Sequence, residues 1–308
     1  MASLAAVLAG VVAGPACAVD WNTVPETQVV LFYPGQASWE WALTERDHSG
    51  APKFREGKDC RGCHDGEQAE MGTKIVAGGP LEPGPIAGKS GSLALGVQVA
   101  RDADNLLLRL RFTGAEVSSK SMDPDVHARV TVMIGDASVK ESMRAGCWAS
   151  CHDDLDGMHS APAGTELTKY LGASRNKLSR QGGGSDYKSD EALQALMAQG
   201  AFLEYWQARL NPGKPAEASS GYVLARREQH AAPVVAAQAT QDGRQWTVVL
   251  TRPLQPTGTG QKKLAPGTTY AIGFAVHDDH AAHRYHFVSL EYTFALDAGE
   301  VDFVAKQQ

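Results

Sequence analysis

Cysteine and histidine stand together in the stretch Cys60-Arg-Gly-Cys63-His64. Two cysteines that are separated by two residues and followed directly by a histidine form the attachment pattern of haem c. In this chemistry the two thiols become thioethers to the haem vinyl groups, and the imidazole binds the iron. The spacing therefore predicts a covalent haem c with His64 as its proximal iron ligand.

A second stretch, Cys147-Trp-Ala-Ser-Cys151-His152, keeps the terminal Cys-His pair and places one further residue between the thiols. We interpret it as an expanded haem c site with His152 as the proximal ligand. Thiols at positions i and i+4 lie one turn apart on the same face of a helix, so both can still reach one porphyrin edge. The chain is thus expected to carry two covalent haems c.

Three other chemistries use paired cysteines: a zinc site of four thiolates, a disulfide in each motif, and a thioredoxin-like dithiol. None of them requires a histidine immediately after the second cysteine, and here that histidine occurs twice. Haem attachment is therefore the favoured interpretation of both motifs.

The opposite face of each iron decides what the haem can do, because a sixth ligand gives an electron carrier and an open position admits small molecules. His48 lies twelve residues before Cys60, close enough to fold over the first haem. The alternative is a surface turn, since Asp47-His-Ser-Gly50 is a favourable turn sequence. Met71 and Met158, which follow their motifs closely, are the thioether candidates.

Strand periodicity supplies two more candidate distal ligands, His277 and His286. Alternation places His277 on one face with three small residues that could make room for a macrocycle, namely Ala271, Gly273 and Ala275. His286 is expected to point into the core, on one face with Val288, Leu290, Tyr292 and Phe294. The alternative for each is a hydrogen-bonded core histidine. His280 and His283 are expected in a solvated loop between them.

Alternating apolar residues dominate the chain from residue 93 onwards. The runs 93–99 and 106–112, separated by Asp102-Ala-Asp-Asn105, predict a hairpin with one buried face. A helix is predicted from Ser189 to Asn211-Pro212. Further strands are predicted at 127–134, 221–227, 244–251, 269–277 and 285–296. The predicted fold class is mainly β, an antiparallel β-sandwich with loop-rich haem c segments and a few helices.

The N-terminus has the pattern of an export signal, predicted at residues 1–18. An apolar run, 4–12, is too short to span a membrane, and Ala16-Cys17-Ala18 has the form of a cleavage site. Cleavage there leaves four cysteines, all inside the two motifs, although a lipid anchor on Cys17 is an alternative. We expect an exported, bacterial periplasmic protein. The mature chain then divides into a loop-rich segment with the first motif, 19–90, and a sandwich domain with the second, 91–308.

Length, composition and charge set further bounds. The 308 residues are 43% apolar, which is ample for a core. The formal charge is −6, and no block of lysine and arginine suggests a nucleic-acid partner. An electrostatically steered partner is expected to present a basic face.

Four segments carry a family resemblance: 203–209, 221–227, 246–252 and 270–277. They resemble the haem-binding β-sandwich of ethylbenzene dehydrogenase γ-subunits, a grouping also called cytochrome c-552/DMSO reductase-like. The resemblance implies an electron-transfer module, which often serves a molybdenum oxidoreductase. The archetype of that family holds a non-covalent haem b between Met and Lys. This chain carries thioether motifs instead, so the Met/Lys ligation is not transferred to it.

Two classes of function follow. In the first, the protein is an exported dihaem cytochrome that passes single electrons between redox partners, such as another cytochrome, a membrane quinol-oxidising complex or a molybdoenzyme. In the second, one haem is five-coordinate and converts a small nitrogen or sulfur compound, with polar residues such as Asp153, Asp154 and His159 nearby. A gas or redox sensor is a third hypothesis, but no output domain is visible in the sequence to support it. We favour electron transfer and assign no catalytic residue.

Overall fold

The structure is a computed structural model that describes residues 19–35, 37, 39–115, 125–146, 150–152, 169–177, 186–278 and 285–308. Strands dominate these residues. They are β1 (Thr27–Phe32), β2 (Ser92–Arg101), β3 (Asn105–Thr113), β4 (Ala128–Gly135), β5 (Ser150–His152), β6 (Lys169–Leu171), β7 (Leu203–Leu210), β8 (Glu217–Val223), β9 (Arg227–Gln229), β10 (Ala236–Asp242), β11 (Gln245–Pro253), β12 (Tyr270–His277), β13 (Phe287–Val288), β14 (Tyr292–Leu296) and β15 (Phe303–Gln307). The helices are α1 (Trp39–Ala42), α2 (Ala51–Arg55), α3 (Arg61–His64), α4 (Gln68–Val76), α5 (Ser142–Ala145) and α6 (Asp190–Ala198). The prediction of a mainly β fold with few helices is confirmed.

One large sheet joins most of the strands in the order β10-β11-β3-β2-β1-β13-β12-β4-β7-β8-β9. Neighbours along this path are antiparallel. β14 and β15 form a second connection between β12 and β2, and β15 is parallel to both of its neighbours. β2 and β12 are therefore connected twice, once through β1 and β13 and once through β15 and β14. β5 and β6 pair with each other outside the large sheet.

Most strands of the large sheet contribute to one main apolar core. On β3, Leu106, Leu108, Leu110 and Phe112 are fully buried, and the residues between them reach the surface. Alternate residues of β4, β11 and β12 join the same cluster. Because inward residues from distant parts of one sheet meet in one core, the sheet folds over on itself in the manner of a sandwich. The predicted β2–β3 hairpin is confirmed, and its turn is fixed by the Asp102 carboxylate, which accepts hydrogen bonds from the N–H groups of Asp104 and Asn105.

The helix predicted from Ser189 to Asn211 is only half correct. Ser189 caps α6 as expected, because its hydroxyl oxygen accepts a hydrogen bond from the Ala192 N–H at 3.3 Å. The helix ends before Gly200, whose φ of +75° is a left-handed conformation that glycine adopts without strain. The next residues form β7, a strand buried between β4 and β8. A short apolar run fits a buried strand as well as a helix, and the pairing partners decide between them.

The strand predicted at 285–296 is also interrupted. Ser289 exchanges hydrogen bonds with the backbone of Phe274: its hydroxyl accepts from the Phe274 N–H, and its own N–H donates to the Phe274 carbonyl. Because of this interruption between β13 and β14, the even-numbered residues after it point to the opposite face of the sheet from those before it. Val288 and Leu290 thus pack in a cluster outside the main core, whereas Tyr292 and Phe294 lie inside it. The expectation that His286, Val288, Leu290, Tyr292 and Phe294 share one face was wrong.

The segment 19–90 supplies more than loops. β1 pairs with β2 along its whole length and reaches β13 through Phe32. Helices α1 to α4 follow it, and α4 packs closely on the strand region because Gly72 and Gly91 meet backbone to backbone, where any Cβ would clash. This contact fixes the helix that follows the first cysteine motif. Within the described residues, no helix is long and apolar enough to cross a bilayer.

Candidate functional site

The first cysteine motif forms one helical turn. The N–H groups of Cys63 and His64 both donate to the Cys60 carbonyl, at 3.1 and 2.9 Å, so the first cysteine is the N-terminal cap of α3. Both cysteines are free thiols; Cys60 is half-buried and Cys63 is exposed. Burial, reinforced by the charge of Glu291, raises the pKa of the Cys60 thiol. A tight turn with two unlinked thiols and a following imidazole is the arrangement that thioether attachment requires.

The His64 imidazole is oriented by a carboxylate. Its Nδ1 lies 3.0 Å from Glu67 Oε2, one helical turn further along the chain. Because the carboxylate can only accept, Nδ1 carries the hydrogen and donates it, which leaves the lone pair on Nε2. A ligating histidine that donates its other ring N–H to a carboxylate is a recurrent feature of metal sites. His64 is thus prepared to bind a metal through Nε2.

His48 stands opposite His64. The centres of the two rings are 6.1 Å apart, with an angle of 34° between their planes. The Nδ1 of His48 lies 2.8 Å from the Ala42 carbonyl oxygen, so it also donates and leaves its Nε2 as the acceptor. Trp41 stacks on the His48 ring with the centres 5.2 Å apart. A Cβ on Gly50 would lie 3.0 Å from Nε2, so this glycine leaves the ligating edge accessible.

The spacing of the two rings would allow both imidazoles to hold one iron. A metal–nitrogen bond is about 2 Å long and each ring centre lies about 1 Å behind its nitrogen, so two imidazoles on opposite sides of one metal have centres about 6 Å apart. The observed 6.1 Å agrees with that distance. The residues present therefore fit a haem held by Cys60 and Cys63 between His64 and His48.

Apolar side chains surround the Cys60 thiol. It packs against two clusters, one formed around Phe32, Val288 and Leu290, and the other around Phe54 and Tyr170. Met71, the thioether candidate on α4, belongs to the first cluster. Such a lining excludes water from the cofactor and lowers the local dielectric constant.

Arg61 fastens the motif helix to the sheet. Its N–H donates to Glu291 Oε1 at 2.8 Å, and its guanidinium donates to Asp302 at 2.7 Å. The guanidinium also lies over the Tyr292 ring, 4.4 Å from its centre. These contacts join residues that are more than 200 positions apart in the sequence, so the turn with the cysteine motif is held at the start of β14 and the residue before β15.

The segment that leads into the second motif lies beside the first motif. Cys60 N–H donates to the carbonyl of Arg144 at 3.0 Å, and Arg144 lies three residues before Cys147. The Arg144 guanidinium in turn donates to the Phe54 and Lys58 carbonyls. A cavity of about 320 Å³ adjoins this contact and is lined by residues that include Phe54, Arg144 and Leu171.

Most of the second motif lies outside the described residues. The part that is not described consists of Cys147, the two residues after it, and the side chains of Cys151 and His152. Met158 also lies outside the described residues. The backbone of Ser150–His152 forms β5, which pairs with β6. The expectation that a helical turn accommodates the extra residue was therefore wrong for the second half of the motif, because strand pairing sets the backbone there.

His277 ends β12, and His286 lies directly before β13, the strand that pairs with it. Their rings stack with centres 4.6 Å apart and an angle of 14° between the planes. This is closer than the spacing of about 6 Å that two axial imidazoles on one metal require. As placed, the two do not share one iron, and each stays a separate candidate for a distal ligand. His280 and His283 lie outside the described residues.

Sequence reasoning missed the residues that support the site. Glu67, three positions after His64, could have been found from the i, i+3 spacing on a helical turn. Glu291, Asp302 and Arg144 carry no such signal, because only the fold brings them to α3.

The chain is similar in sequence to several known proteins. The sequence profile of the family described as Ethylbenzene dehydrogenase matches residues 219–289, which contain three of the four segments of the family resemblance. Cytochrome c-552 from Stutzerimonas stutzeri is 36% identical over 95% of this chain and 92% of its own length. Cytochrome c-551 from Rhodocyclus tenuis is 27% identical over 94% of this chain and its full length. A putative carbohydrate-binding protein from Bacteroides uniformis, at 12% identity, covers 70% of this chain and 79% of its own with a TM-score of 0.30.

Proposed function

This chain belongs to the family of c-type cytochromes that includes cytochrome c-552, and we propose that it is an exported dihaem electron carrier. The observation that carries the proposal is the pair of imidazoles, His64 and His48, whose ring centres are 6.1 Å apart. With both axial positions filled by protein side chains, the first iron would exchange electrons without binding a substrate.

The residues around the first site have distinct roles in this proposal. The bound haem c supplies a one-electron iron couple. Glu67 holds the proton on Nδ1 of His64 and keeps Nε2 directed away from it. Ala42 does the same for His48 through its carbonyl. The apolar clusters around Cys60 exclude water, while the exposed Cys63 marks the edge through which electrons would enter or leave.

The second haem is proposed at Cys147, Cys151 and His152. The hydrogen bond from Cys60 to Arg144 supports it, since it places the segment that leads into this motif beside the first one. Two haems attached to adjoining segments would exchange electrons within the protein. Either His277 or His286 is proposed as the distal ligand of the second iron. The intact denatured mass of the protein, expressed with haem c maturation machinery, tests the haem count: one haem would contradict this assignment.

Export to the bacterial periplasm is proposed from the signal-like residues 1–18, and sequencing of the mature N-terminus tests it. The electron partners are proposed to be redox proteins with a basic docking face, since the chain carries a formal charge of −6. A second cytochrome, a membrane quinol-oxidising complex and a molybdoenzyme are the classes to assay.

Carbon monoxide binding tests the assignment of His48. The ferrous wild type is expected to show no carbon monoxide shift at the first haem. His48→Ala should open one axial position, so about half of the haem in a dihaem protein should bind the gas. Met71→Ala is the matched control, because it removes the competing thioether candidate from the same region. Carbon monoxide binding by Met71→Ala and not by His48→Ala would contradict the proposal.

A further inference from the structure

Glu291 is a buried carboxylate between the segments that lead into the two cysteine motifs. Its exposed fraction is 5%. On one side its Oε1 accepts a hydrogen bond from the Arg61 N–H at 2.8 Å. On the other side Gly146 lies so close that a Cβ there would be 3.0 Å from the Glu291 Cα. Glu291 thus touches the first residue of α3 and the residue before Cys147.

Only one oxygen of this carboxylate is satisfied. Oε2 is buried and has no hydrogen-bond partner among the residues that the structure describes. An unsatisfied oxygen on a buried anion is costly, and protonation removes the cost. Burial accordingly raises the pKa of Glu291 to about 7, although the hydrogen bond from Arg61 opposes the shift.

The charged groups around Glu291 do not neutralise it. Asp59, before α3, adds a like charge that raises its pKa further. The Arg61 guanidinium lowers the pKa of Glu291 through its charge, but it is directed to Asp302, at 2.7 Å, and to Asp65, at 3.7 Å. Arg144 on α5 donates to backbone carbonyls. On β14 the nearest titratable side chain is that of Tyr292, whose pKa is also raised by burial.

We propose that Glu291 binds a proton when the first haem is reduced and releases it when that haem is oxidised. The electron comes from the redox partner and stays on the iron, while the proton moves between solvent and the carboxylate. Reduction removes one positive charge close to the carboxylate, so it favours the neutral acid. This inference rests on the proposed electron-carrier function and adds proton coupling to it.

Redox titration of the holoprotein across about pH 5 to 9 tests the proposal. The potential of the first haem should fall with rising pH around neutrality. If one proton is bound per electron, the equilibrium constant of reduction changes tenfold per pH unit, which corresponds to about 59 mV for a one-electron couple. The slope of the potential against pH should approach that limit. Glu291→Gln keeps an oxygen for the Arg61 N–H and cannot ionise. Its potential should be independent of pH and close to the acid limit of the wild type.

Asp302→Asn is the matched control, because it loosens Arg61 from the sheet and leaves Glu291 intact. It should keep the pH slope of the wild type. An unchanged slope in Glu291→Gln would overturn the proposal, and so would an equal loss of slope in both variants. Failure of the electron-carrier function itself would show separately, as carbon monoxide binding by the wild type.

Discussion

Glu67 offers a quantitative test of how the protein tunes the first haem. The substitution Glu67→Gln keeps an oxygen acceptor for the His64 Nδ1–H and removes one negative charge. The carboxylate lies 3.0 Å from Nδ1, which places it about 7 Å from a metal bound at Nε2. A negative charge at that position stabilises the ferric state of the iron, so its removal should raise the reduction potential.

The size of the effect follows from Coulomb's law. The Glu67 side chain is 57% exposed, so an effective dielectric constant of roughly 40 to 80 applies, and the interaction is about 0.6 to 1.2 kcal/mol. Since about 59 mV corresponds to a tenfold change or about 1.4 kcal/mol for one electron, the expected rise is about 25 to 50 mV. The shift should shrink as salt is added, because exposed charges are screened.

Spectroelectrochemical titration of wild type and Glu67→Gln measures this shift directly. Glu70→Gln is the matched control: it removes the same charge one turn further along, in α4, where Glu70 pairs with Lys74. The control should move the potential much less. Equal shifts in the two variants, or none in Glu67→Gln, would refute a specific role of Glu67 at the iron ligand.

Three further perturbations have defined outcomes. Gly50→Ala places a methyl group about 3.0 Å from His48 Nε2 and should weaken the distal bond, giving partial carbon monoxide binding to the ferrous protein. The raised pKa of Glu291, about 7 against an ordinary 4.5, implies stability that is present at low pH and lost as pH rises through 7. The unfolding free energy of Glu291→Gln minus that of the wild type, measured with urea, should therefore be up to about 3 kcal/mol larger at pH 8 than at pH 4.5. Glu204→Gln breaks a fully buried pair with Arg252, 2.8 Å apart, and should cost about 3 kcal/mol or more in the same assay.

Each of these outcomes has a control. Gly84→Ala adds a methyl group at an exposed site with only an ordinary contact at 3.7 Å, so it should leave carbon monoxide binding unchanged. A pH-independent effect of Glu291→Gln on stability would show that its carboxylate ionises freely in the folded protein. A small, salt-sensitive loss in Glu204→Gln would place that pair in a much more hydrated setting than its burial indicates.

Local patterns predicted the strands that alternate cleanly. β3 and β11 bury every second residue, and that period is visible in the sequence itself. The prediction failed where burial on both faces removes the alternation, as in β7, which was taken for the end of a helix. It also failed at Ser289, where hydrogen bonds to a neighbouring strand interrupt the period.

The attachment motif and the proposed distal histidine were within reach of the sequence, because His48, Cys60 and His64 are close along the chain and local turns bring them together. The supporting contacts were not. Glu291 reaches Arg61 across 230 positions, and no residue pattern signals it. The stacking of His277 on His286 depends on the register of β12 and β13, which the predicted strands left open.

Ligation of the first iron by two imidazoles, those of His64 and His48, is the central feature of the proposed electron carrier. Near-infrared magnetic circular dichroism of the oxidised wild-type protein distinguishes bis-imidazole from imidazole–thioether ligation by the position of the charge-transfer band. The wild type should show at least one bis-imidazole haem per chain, and His48→Ala should show one fewer than the wild type. A wild-type spectrum that contains only thioether-ligated or high-spin haem would contradict it.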